Sequence, residues 1–93
     1  MKTLSISLNG NHCSEYFRFN GTLFKVEVRN GNCYFDCDVY RETLNGDFAL
    51  IACRYDIEGI ENIPYYNSDE TRISIAQRNI QRAKDWIRVI YTK

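Results

Sequence analysis

The chain has 93 residues, 44% of them hydrophobic and 26% charged, with twelve basic residues balancing twelve acidic ones. This is enough chain for a single domain, 1–93, with its own core. Zero net charge argues against binding nucleic acid by bulk charge alone, and no apolar run approaches the roughly 20 residues of a membrane span.

The start, Met-Lys-Thr-Leu-Ser-Ile-Ser-Leu, alternates polar with apolar and does not read as a signal peptide. The expected location is cytoplasmic, with the four cysteines as free thiols.

Four Asn-Gly pairs punctuate the first half: Asn9-Gly10, Asn20-Gly21, Asn30-Gly31 and Asn45-Gly46. Asn-Gly favours a two-residue type I′ hairpin, because both turn positions need positive φ. The alternating segments between them predict strands at about 3–8, 13–19, 22–29, 33–42 and 47–55 in an antiparallel meander.

Two-residue turns set a register. They place Ile6 opposite Cys13, Phe17 opposite Phe24, Val26 opposite Phe35 and Lys25 opposite Asp36. Leu4, Ile6, Leu8, Cys13, Phe17, Phe19, Phe24, Val26, Val28, Phe35, Cys37 and Val39 then share one apolar face. The segment Phe48 to Cys53 is apolar on both faces, and its register is open: Val39 opposes either Ala52 or Cys53. Cover on both sides, or a subunit contact, would explain it.

Residues 56–67 form an acidic crossover in which Ile57, Ile60 and Ile63 plug the sheet. Pro64 discourages helix before it. From Ser68 to Tyr91 the period changes. Ile73, Ala76, Ile80, Ala83, Ile87 and Ile90 form one stripe of a helix, preceded by cap-forming Asn67 to Glu70, with Asn67 and Glu70 at capping-box spacing. The stripe reads as the lid of the sheet's apolar face. The predicted fold is α+β: a five-stranded antiparallel meander with one C-terminal helix across one face.

Chemistry is hard to find. Cys33 and Cys37 on one strand would lie about 13 Å apart, too far to share a zinc ion. His12 and Cys13 are strand neighbours that point to opposite faces, a poor geometry for a dyad. Asp36 and Asp38 share a face about 7 Å apart, but a cross-strand ion pair with Lys25 is the expected use of Asp36. No catalytic residue, metal site or cofactor is expected.

The informative surface is the face opposite the core. Tyr16, Arg18, Lys25, Arg29, Tyr34, Asp36, Asp38 and Tyr40 gather there. Tyrosine and arginine are enriched at protein-binding hot spots. The expectation is a non-enzymatic adaptor or inhibitor that binds another protein through this face, of the kind phages and mobile elements carry. The alternative is nucleic-acid binding through the same face or the basic helix side, Arg78, Arg82 and Arg88. Residues 69–93 carry six basic and three acidic residues, net +3, against net −3 for 1–68. Glu15, Glu27, Asp36, Asp38 and Glu42 on the strands would repel phosphate. A third reading is self-association, as a homodimer or larger assembly, through strand 48–53.

Overall fold

In the computed structural model, which describes residues 1–31, 35–64 and 67–92, five strands form one antiparallel sheet in chain order. They are β1 (Lys2–Leu8), β2 (His12–Phe19), β3 (Thr22–Asn30), β4 (Phe35–Glu42) and β5 (Phe48–Ala52). A single 3₁₀ turn, Arg54–Asp56, ends the β5 region, where the sequence suggests strand to residue 55. One helix follows, α1 (Asp69–Tyr91). The fold is α+β, as the change of period predicts.

Only one Asn-Gly pair makes the expected two-residue hairpin. Asn20 and Gly21 both have positive φ, 51° and 79°, and Phe19 pairs with Thr22. At Asn9 the side-chain oxygen instead accepts from the backbone N–H groups of Asn11 and His12, at 3.0 and 2.8 Å. This Asx turn lengthens the loop, so Ile6 pairs with Glu15 rather than Cys13. Asn30 is the last residue of β3 and is buried, so the chain reverses beyond it and Asn30 pairs with Phe35. At Asn45-Gly46 the loop closes through a bond from the Thr43 N–H to the Asp47 carbonyl, 2.7 Å, with Gly46 at φ 85°.

The β1–β2 register is thus displaced by two residues and the β3–β4 register by four. Both shifts are even, so the side-chain faces are unchanged along β2 to β4 and over Ser5–Leu8 of β1; beyond the β1 bulge at Leu4, Thr3 pairs with Phe17 and turns to the apolar face. Cys13, Phe17, Phe24, Val26, Val28, Phe35, Cys37 and Val39 are buried on one face as expected. The β2–β3 partners are as expected, Phe17 opposite Phe24 among them, but those across β1–β2 and β3–β4 are not. Lys25 faces Tyr40, and Asp36 faces Arg29. The predicted Lys25–Asp36 pair does not form.

Strand β5 has a bulge. Val39 pairs with Ala52 and Tyr40 with Leu50, leaving Ile51 as the extra residue. Ala52 therefore enters the core while Leu50 joins the opposite face. The doubly apolar sequence reflects this switch of faces within one strand.

Helix α1 lies over β2, β3 and β4. Ala76, Ile80, Ala83 and Ile87 are buried against the sheet, and Ile57 and Ile63 of the crossover join them. Ser68 is the N-cap, accepting from the Thr71 N–H at 3.3 Å, in place of the Asn67–Glu70 pair suggested by spacing. The stripe drifts at its end. Tyr91 packs edge-on to Phe24 with centroids 5.2 Å apart, and Ile90 is half exposed. A second departure is β1, where Leu4, Ile6 and Leu8 were expected in the core. All seven of its residues are exposed, because one helix is too narrow to cover the edge strand as well as β2 to β4.

Polar groups enter the core at three places. Glu15 sits on the apolar face between Cys13 and Phe17 and pairs with Lys84 of α1; Thr3 Oγ1 donates to it at 2.6 Å. Asn79 is fully buried and bonds the backbone of Glu61 twice, its Oδ1 accepting from the N–H at 2.8 Å and its Nδ2 donating to the carbonyl at 2.9 Å. Arg72 donates to Asn11 Oδ1, reaches Asp69 at 3.6 Å, and with Asn30 ties the first hairpin loop to the helix start. A Cβ at Gly10 would collide with the Asp69 carboxylate there.

Candidate binding face of the sheet

Side chains opposite one another across antiparallel strands share a face. The pairings Ser5–Tyr16–Lys25–Tyr40–Leu50 form one row across all five strands on the side away from α1. Ser7–Ser14–Glu27–Asp38 forms the next, and His12–Arg29–Asp36 the third. Arg18 lies beyond the first row, opposite Leu23. Tyr16, Arg18, Lys25, Arg29, Asp36, Asp38 and Tyr40 are therefore on one surface. Tyr34 lies outside the described residues, as does Cys33.

The centre of this surface is the Lys25 ammonium. It stands 4.6 Å from the Tyr40 ring centroid, 5.6 Å from Phe48 and 5.8 Å from Tyr16. Tyr16 and Phe48 meet edge to face, centroids 5.8 Å apart. Four strands thus contribute one side chain each to a cation–aromatic cluster. Phe48 and Leu50 were not in the sequence-derived set. Their orientation depends on the β5 bulge, whose position the doubly apolar sequence does not specify.

Around the cluster runs a charged network. Glu27 lies 3.7 Å from Lys25 and 3.2 Å from the His12 ring. Arg29 reaches Asp38 at 3.7 Å and Asp36 at 4.0 Å. His12 is therefore on the outer face, away from the buried Cys13. It has the same parity as Ser14 and Tyr16, so its place was legible. Burial, then the neighbouring Asp36, push the Asp38 carboxyl above its usual range, and Arg29 opposes them. Burial and the carboxylates of Asp38 and Glu27 raise the Tyr40 phenol likewise, so it stays a neutral donor. This surface can offer aromatic area, hydrogen-bond donors and both signs of charge.

The helix arginines are differently placed. Arg78 makes two bonds to Glu61, at 2.7 and 3.0 Å, and Arg88 reaches Asp85 at 3.1 Å. Arg82 lies beside Gly59 and lines an open groove of about 540 Å³ with Ile57, Trp86 and Val89. The three do not converge on one ligand position.

Burial raises the thiols of Cys13 and Cys37, the latter to about 12, with Asp38 and Cys53 adding to it. Neither is a thiolate nucleophile at neutral pH. Among the described residues no group of three or more His, Cys, Asp or Glu side chains could hold a metal ion. No helix there is long and apolar enough to cross a membrane. No family model matches the chain, and neither a curated protein nor a solved structure matches it.

Proposed function

We propose that this is a non-enzymatic, cytoplasmic protein-binding domain of adaptor or inhibitor type, and that it works through the outer face of its sheet. The observation that carries this reading is the Tyr16–Lys25–Tyr40–Phe48 cluster. It spans four strands on a face that α1 leaves uncovered, and its rings are already held in place. Rigid aromatic area with polar rims binds protein at low entropic cost. The buried free thiols Cys13 and Cys37 suit a reducing compartment. The small size fits an accessory protein of phage or mobile-element type.

Nucleic-acid binding is less well supported. Lys25 and Arg29 already face Glu27, Asp36 and Asp38, and Arg78 and Arg88 have their own carboxylates. The test is affinity capture from the native host after nuclease treatment, comparing wild type with an Arg18→Glu/Arg29→Glu variant and an Arg82→Glu helix variant. Both arginines of the face are exposed, so folding should be retained, as thermal melting would check. The expected result is one protein retained by wild type and by Arg82→Glu but lost by the face variant. Retention by the face variant would sink the reading. Retention that vanishes with nuclease and weakens steeply with salt would favour nucleic acid instead.

A further inference from the structure

Strand β1 is an edge of the sheet, and every residue in it is exposed. Its ladder to β2 begins with a bond from the Asn9 N–H to the His12 carbonyl, 3.1 Å. In an antiparallel pair, alternate residues turn their backbone groups toward the partner. Counting back from Asn9, Ser7 and Ser5 face β2, while Ile6 and Leu8 turn N–H and C=O outward. Their side chains stand on the helix side, 53% and 37% exposed. No described element meets this edge.

Edges of natural sheets are shielded by charge, proline or bulges. Between Ser5 and Leu8, β1 has none of these. Its bulge falls at Leu4, and its one charge, Lys2, stands at the far end. The edge is also self-complementary. Leu4-Ser5-Ile6-Ser7-Leu8 reads the same in both directions. Antiparallel pairing about a two-fold axis at Ile6 sets Ile6 against Ile6 and Ser5 against Ser7, and brings each Leu8 to the Leu4 bulge of the other copy. The outward N–H of each Ile6 then donates to the carbonyl of the other. Apolar residues meet apolar ones, and no like charges are opposed.

We propose that β1 is a homodimer interface, in which two copies of this chain join β1 to β1 about that axis. Five strands from each copy form one continuous sheet, with both helices on the same side. The Ile6 and Leu8 side chains of the two copies close the groove of about 190 Å³ that now separates β1 from Ile80 and Gln77. The competing edge, β5, is interrupted by its bulge at Ile51 and offers a shorter regular run. The outer face stays open in this dimer, so the interface stands or falls independently of the sheet-face reading.

Sedimentation velocity tests it. The wild-type chain should sediment at twice 11.0 kDa. Ile6→Lys and Ile6→Glu should each weaken the dimer by roughly tenfold or more, since either substitution sets like charges against one another at the axis. An equimolar mixture of the two should recover the dimer mass. Leu50→Lys on β5 should leave it unchanged. Hydrogen exchange on the wild type reads the same interface without any substitution: the Ile6 and Leu8 amides should gain protection as concentration rises. A monomer at all concentrations, an undiminished dimer in Ile6→Lys, a dimer dissolved by Leu50→Lys, or equally fast Ile6 exchange throughout would overturn the proposal.

Discussion

Glu15 and Lys84 meet inside an otherwise apolar layer, with side chains only 5% and 14% exposed. Lys84 also stands 5.2 Å from the centre of the Phe17 ring. A buried pair adds little by itself, but breaking it strands a charge. Lys84→Met should therefore lower unfolding stability in urea by about 3 kcal/mol. Glu15→Leu combined with Lys84→Met should recover most of that loss, because both charges are gone. Asp38 gives a different test. Its carboxyl is raised by burial and by Asp36, so the folded state holds the proton more tightly than the unfolded one. That stabilisation is complete below the ordinary carboxylate pKa and is lost as pH rises through the folded value. Asp38→Asn should accordingly be more stable than wild type at neutral pH, and the advantage should disappear in acid. Chemical denaturation across pH would measure it.

At the scale of elements, the buried Asn79 ties the crossover to α1 by hydrogen bonds. Asn79 supplies the donor and acceptor that a neighbouring strand would otherwise give to Glu61. Asn79→Ala should cost about 3 kcal/mol, since both backbone groups lose their partners. Faster exchange of the Glu61 amide would localise the effect. Arg78 holds the same point from outside and draws the Glu61 carboxyl below its usual range. That contribution is present above the ordinary carboxylate pKa and is lost as pH falls through the depressed value. Acid should therefore weaken this outer tie of the crossover to α1. The hairpins show how local signals can mislead. Asn9 and Asn30 precede glycines just as Asn20 does, yet Asn9 spends its amide on an Asx turn and Asn30 is drawn in beside Arg72. The loops lengthen by even numbers, which is why the strand faces survive a wrong register.

For the whole molecule, one helix over three of five strands leaves two kinds of free surface. One is the broad outer face with its aromatic cluster; the other is the β1 edge with its symmetric sequence. Both follow from having a single helix of 23 residues as cover. Two-fold pairing through β1 would present two outer faces side by side, which would suit a repetitive or dimeric target. Along β2 to β4 the sequence alone determined which side chains share a face, because strand parity is set by the chain's own two-residue period and survives any even slip. It likewise determined the helix, because a 3.6-residue period over six turns has no strand equivalent. Outside the β2–β3 hairpin it did not determine who sits opposite whom, nor which strand stays uncovered, nor that Glu15 and Asn79 find partners inside. Those depend on loop lengths, a bulge at Ile51 and the width of one helix. They are decided only when all the elements compete for the same space.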